Sequence, residues 1–336
     1  MAEDINKKKA GPEEETASLE VAGIETLPEE KPAAVTVDHS KLYIWIADAG
    51  NDRIQKFDGN GKFLLQFGRP AGTRPPYNPG EFKTPGGVTL DVNGNIWVAD
   101  TGCHRIQKFD PDGDSLLSFG QEGWGQDKFY WPEGIVAEPT GTILVVDTSN
   151  HCLKRYDEDG EFILGFGYAG NFDGFLKFPT GVALDKEGNI YVADRDNQRI
   201  QIFNENGQFM SKFGEYGFEE GRLNYPNGIA VLRDGRIMVA EKSQNRIQIF
   251  DREGGFVSRI GEYGKREGQF NCPMAVVQDP YGYLYVVDTL NHRVQKFDPE
   301  FNFVARWGSV GKEPGQFRNP AGICLSWEPE WAPKEA

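Results

Sequence analysis

Six acidic residues recur behind short apolar runs: Asp48, Asp100, Asp147, Asp194, Glu241 and Asp288. Carboxylates in such a series could gather a metal ion or work as general acid and base. Five of the six are followed five residues later by arginine, at Arg53, Arg105, Arg199, Arg246 and Arg293. An acid that ends a strand before a tight turn accepts backbone N–H groups, and a guanidinium beside it balances its charge. We therefore read the series as scaffold. Cys152 stands where the arginine after Asp147 should be, which leaves two readings: drift of the pattern, or a loosened side of a site. His104, His151 and His292 share another recurring position, in a turn. Three imidazoles bind zinc only by converging on one ion at about 2.1 Å. We read them as surface-turn residues.

A third set follows a recurring proline: Gly86, Glu133, Thr180, Asn227, Met274 and Ala321. If the repeats surround an axis, these residues meet at its mouth. Glu133, Thr180, Asn227 and Met274 are the channel-mouth binding candidates. Glu133 and Asn227 are weak metal candidates. With Thr180 between them they offer two or three oxygens, against the roughly six to eight that calcium prefers. Water or backbone carbonyls would have to complete a weakly held Ca2+ or other divalent ion. Without an ion the expectation is a polar channel filled with water. No Gly-x-Ser-x-Gly elbow, phosphate loop or paired catalytic Cys and His stands in a supporting context, so no catalytic residue is assigned.

These positions need a frame, and the frame is a repeat. The prolines at 85, 132, 179, 226, 273 and 320 are spaced by 47 residues. The acids follow the same step except between Asp48 and Asp100, where it is 52, because the Gly68–Pro85 loop is five residues longer than the others. Each unit reads as four short strands joined by Gly, Asn and Asp turns, for example 179–185, 190–194, 199–203 and 208–214. That is the period of a propeller blade, and blades bury their faces only by closing a ring. The last three strands occur six times, giving six blades. The first strand occurs seven times. Residues 32–38 and 320–326 therefore compete for the innermost place in blade one. The C-terminal segment is favoured because it keeps the spacing and the preceding Gly-Gln-Phe loop.

Ile-Tyr-Val-Ala-Asp, Asn-x-Arg-Ile-Gln, Gly-x-Phe, Phe-Gly and Pro-x-Gly, recurring in register over about residues 32–326, resemble the NHL repeat. The resemblance implies an all-β, six-bladed propeller of four-stranded antiparallel blades. It leaves activity open, since similar propellers bind proteins, bind RNA, sense ligands or catalyse. Lyase relatives carry zinc-binding histidines in Pro-His-x, and this chain has none at its six post-proline positions, so that chemistry does not carry over. RING and B-box modules are not implied either, because no cysteine precedes Cys103.

Composition narrows the partners. The chain has 336 residues, and 51 acidic against 36 basic residues give a formal charge of −15, which repels phosphate backbones unless a basic patch intervenes. The loop cations alternate with acids, so nucleic acid is disfavoured. Residues 1–31 read as a disordered acidic tail, 32–327 as the propeller and 328–336 as a C-terminal tail. No apolar run is long enough to cross a membrane, and no signal peptide is visible; the expected location is the cytoplasm. The leading expectation is a non-catalytic scaffold that holds a protein or peptide on its inter-blade loops, with Tyr77, Trp124 and Phe218 as exposed anchors. The alternatives are a lactonase-like hydrolase or lyase with a channel-mouth metal ion, and an RNA-binding propeller.

Overall fold

The computed structural model describes residues 37–328. Within them the chain forms six four-stranded antiparallel sheets around an axis. Blade four shows why these residues make these strands. Its second and third strands, Ile190–Asp194 and Arg199–Phe203, are buried at every position, whereas its outermost strand, Phe209–Phe213, is mostly exposed. A strand sandwiched between two neighbouring blades has no solvent face, so apolar residues run on without alternation. The turns are set by side chains. Asp185 Oδ1 accepts the N–H groups of Glu187 and Asn189, and Gly188 takes φ +84° to complete the bend.

Blades two, three, five and six span 87–119, 132–166, 226–260 and 273–307. Blade one is composite. Leu42–Asp48, Arg53–Asp58 and Phe63–Phe67 come from the start of the described chain, and the innermost strand is Ile323–Trp327. It pairs antiparallel with Leu42–Asp48, Ile323 opposite Ile46 and Trp327 opposite Leu42. The favoured C-terminal segment thus holds the place for which 32–38 competed. Residues 1–36 and 329–336, with both expected tails, lie outside the described residues.

Six buried apolar clusters fill the six gaps between blades. At each gap an aromatic from the third strand of one blade meets the last strand of the blade before it, as Phe203 meets Phe166 with ring centroids 5.1 Å apart. The cluster between blades six and one joins Leu42, Ile44 and Phe57 to Tyr285, Val294, Phe317 and Ile323. Near the axis the innermost strands approach so closely that a Cβ on Gly181 would lie 2.2 Å from the Asn227 carbonyl oxygen of the next blade. This contact explains the glycine of Pro-x-Gly.

Closure therefore depends on the last strand. A chain ending at Pro320 loses that strand and the Ile323 side of one cluster, at about 1.5–3 kcal/mol for each large apolar side chain unburied. It is expected to unfold at lower denaturant concentration and to be cut by protease within 42–48. An unchanged midpoint and protease pattern would contradict this account of closure.

Candidate functional site

The six innermost strands surround an axial cavity of about 840 Å³, and Gly86, Glu133, Thr180, Asn227, Met274 and Ala321 all line it. Below that ring the wall is mostly apolar, with Val136, Val182, Ala230, Val277 and Cys324 facing the space. The expected polar channel is therefore corrected: each innermost strand is Val-, Ile- and Ala-rich because its side chains also pack between blades. Two of the mouth groups are already engaged. Thr180 Oγ1 donates to the Asn227 carbonyl at 3.2 Å, and Asn227 Nδ2 donates to the Met274 carbonyl at 3.1 Å. The Glu133 carboxylate has no hydrogen bond or ion pair among the described residues. Burial pushes its carboxyl up, and the charges of Arg195 and Lys242 pull it back. Among the described residues no group of three or more His, Cys, Asp or Glu side chains is placed to hold a metal ion.

The acidic series is saturated by the protein itself. Asp48 is fully buried, and its Oδ2 accepts from Arg53 Nε at 2.8 Å, Gln55 Nε2 at 3.0 Å and Asn51 Nδ2 at 2.8 Å, while Oδ1 accepts the Arg318 N–H at 2.7 Å. The same four-donor pattern recurs at Asp194 and Asp288. The arginines then reach the preceding loop, as Arg53 does to the carbonyls of Lys312, Glu313 and Gln316. Burial pushes the carboxyls of Asp100, Asp147, Asp194 and Glu241 up against the pull of these donors.

Blade three solves the loss of its arginine in another way. Lys154 occupies the position held by glutamine elsewhere, and its Nζ lies 2.8 Å from Asp147 Oδ2 while donating to the carbonyls of Gly125 and Lys128. No side of a site is loosened. The signal was present in the sequence as Cys-Leu-Lys where the other blades read Arg-Ile-Gln or Arg-Val-Gln. Cys152 itself is pushed up to about 12 by burial and by the Asp147 charge beside it, far from a reactive thiolate.

The histidines have a sharper role than surface turns. Nδ1 of His104, His151 and His292 accepts the backbone N–H of Trp131, Phe178 and Asn319 in the loop entering the next blade. Asp52, Gln198 and Asn245 do the same for Thr84, Tyr225 and Cys272. Acceptor and donor residues alike have left-handed backbone, with φ between 47° and 59°. An acceptor at one position in all six blades was the signal in the sequence. The imidazoles do not form a metal centre; they suture blades.

The loop face is uneven. Trp124 and Phe218 are 71% and 57% exposed. Tyr77 is not a free anchor: it is half-buried, with the Arg105 guanidinium 5.8 Å above its ring and hydrogen-bonded to its carbonyl. Tyr168, Phe172 and Tyr216, none of them among the three expected anchors, are 70%, 74% and 59% exposed.

The NHL repeat model matches residues 82–109, 129–156, 176–203 and 223–250. The chain is an NHL-repeat β-propeller. The propeller is 38% identical over 92 residues to NHL repeat-containing protein 3 of Mus musculus, a stretch covering 27% of this chain and 25% of that protein. It is 31% identical over 102 residues to peptidyl-glycine alpha-amidating monooxygenase A of Xenopus laevis, covering 30% of this chain and 11% of that protein. The matched stretches thus span a quarter or less of these relatives. Among solved structures, a Bacteroides caccae protein of unknown function superimposes with a TM-score of 0.64 at 16% identity, covering 85% of this chain and 99% of that one. That likeness is one of fold. No helix among the described residues is long and apolar enough to cross a membrane.

Two outcomes follow for the NHL propeller. Lys154→Gln leaves Asp147 buried without its cation and is expected to cost about 3–5 kcal/mol in denaturant unfolding. Cys152→Arg with Lys154→Gln restores the arrangement of the other blades and should recover most of that loss. The three histidines are held neutral in the fold, since burial lowers their pKa. Their contribution is complete above the unfolded value of about 6.5 and is lost as pH falls below it. Replacing all three with asparagine, which blade five already uses at Asn245, should flatten this part of the acid limb in a stability-versus-pH series. Equal pH dependence of the two proteins would refute the assignment.

Proposed function

We propose that this NHL propeller is a binding module that holds a protein or peptide on the loops entering blades three, four and five. The observation that carries the reading is the run of exposed aromatic side chains there, Trp124, Tyr168, Phe172, Tyr216 and Phe218, which continues to Tyr263 in the loop entering blade six. Exposed aromatics in contiguous loops cost solvation in the free protein and become the anchors of an interface when covered. The loop entering blade two has no such side chain, despite its extra length. A rim of charges surrounds the run, as in protein interfaces.

The same rim argues against nucleic acid. Arg222 pairs with Glu215 at 3.0 Å, Arg259 with Glu220 at 2.9 Å, and Lys212 with Asp173. Cations already matched by acids make no phosphate stripe. The hydrolase or lyase alternative gains no support from the mouth of the cavity, where among the described residues no group of three or more His, Cys, Asp or Glu side chains is placed to hold a metal ion. The unpaired thiols of Cys103, Cys152, Cys272 and Cys324 are in keeping with the cytoplasmic location we infer for the module.

The test is affinity capture from the native source with wild type and with Trp124→Ser, Phe172→Ser, Tyr216→Ser and Phe218→Ser combined. These side chains are exposed, so the melting midpoint should not move. Each anchor is worth up to about 2 kcal/mol or more, so specific partner recovery should fall at least about tenfold. Recovery of the same partner in the same yield would overturn the proposal.

A further inference from the structure

We propose that the axial cavity is a binding site for an organic ammonium ion with an apolar body, and that the Glu133 carboxylate is its counter-ion. The inference is independent of the loop aromatics. It starts from which polar groups at the mouth remain uncommitted. The hydroxyl of Thr180 and the amide N–H of Asn227 are turned to backbone carbonyls of the neighbouring blade. Thr101 Oγ1 is likewise engaged, donating to the Pro132 carbonyl at 2.6 Å. Of the post-proline side chains, Glu133 keeps both of its oxygens unused and Asn227 its amide oxygen, while the lining donors Thr84, Asn319 and Lys186 are exposed to solvent. A ligand that donates and carries positive charge matches that set.

Three further observations fix the class of ligand. The cavity, about 840 Å³ with its mouth, is of the size that encloses small molecules, and its wall of Val136, Val182, Ala230 and Val277 favours hydrocarbon over a hydrated metal ion. Trp131 lines the same cavity and is 43% exposed, and its backbone N–H is pinned by His104 Nδ1. An indole beside the mouth can attract a cation to its face. The nearby cations do not cap the carboxylate. Arg195 pairs with Asp196 at 2.8 Å and lies over the Phe178 ring, and Lys242 is exposed; both favour the ionised form of Glu133 without making an ion pair with it. A half-buried carboxylate without an ion pair or hydrogen bond is a place for a positive group, whose charge would offset the burial that favours the neutral acid.

The experiment is calorimetric titration of the full chain with octylammonium, its neutral analogue octanol, its anionic analogue octanoate, and calcium chloride. Octylammonium should bind at a single site, octanol about tenfold or more weakly, and octanoate and calcium without saturable heat, as expected for one charge-assisted hydrogen bond in a screened site. Glu133→Gln should lower octylammonium affinity about tenfold or more and leave octanol binding unchanged. Ala321→Met narrows the mouth with a residue that blade six already carries at this place, Met274, and should weaken both ligands. Melting midpoints report that the variants fold, and the comparison of four ligands on wild type needs no variant. No saturable octylammonium binding, equal affinity for octanol, insensitivity to Glu133→Gln, or displacement of octylammonium by calcium would each overturn the proposal.

Discussion

A carboxylate without water must be given its hydrogen bonds by the protein, and that requirement organises each blade. Asp48 draws one donor from the turn that follows it, two from the third strand and one from the loop that enters its blade. A turn and a strand close to the acid in sequence are thereby tied to a loop 270 residues away. The guanidinium that answers the acid also reads three carbonyls of the entering loop, so the loop is folded down before any tip residue is considered. Adjacent residues of a loop are then held by different blades. The Tyr130 N–H goes to Asp147 of blade three, and the Trp131 N–H goes to His104 of blade two. Two successive donors pulled in opposite directions place the following proline, and with it Glu133, at the axis.

This arrangement explains what could and could not be read from residues alone. A period of 47 with Gly and Asn turns is a property of every blade at once, so blade count, strand order and even the C-terminal source of the innermost strand were legible. The ring of post-proline residues followed from the same period. The charge exchange in blade three was harder, because it involves two positions that differ together: Cys152 looks like a loss until Lys154 is seen to reach Asp147 from the neighbouring ladder position. Side-chain exposure on the loops was least legible. Tyr77 and Trp124 both sit in turn-rich loops, yet Tyr77 lies under Arg105 and Trp124 stands in solvent. Nothing in local composition separates them; the position of a guanidinium from a strand 28 residues away does.

The polarity of the axial cavity illustrates the same point. Threonine and asparagine at the mouth suggest hydrophilic lining when only residue type is considered. In the fold each has a carbonyl of the next blade within reach, because innermost strands that converge on an axis approach one another closely at their ends. Their polar groups serve the ring. The apolar side chains below are set by inter-blade packing, and the cavity inherits them.

The division of labour in this propeller follows from where substitutions are costly. The acid and its strand donors are each tied to buried partners, and in blade three the loss of the arginine is compensated by Lys154. The residue after the proline varies most, being glycine, glutamate, threonine, asparagine, methionine and alanine in turn, and only Thr180 and Asn227 among these tie their side chains to the next blade. The loop tips vary too, and they carry tryptophan, tyrosine, phenylalanine or valine. Six near-identical frames thus present two sets of variable positions, one at the mouth of the axis and one on the surrounding face. A carboxylate left unpaired in the first and a run of rings left uncovered in the second are features the frame does not need. They are where a physical account of this fold directs the search for what the protein recognises.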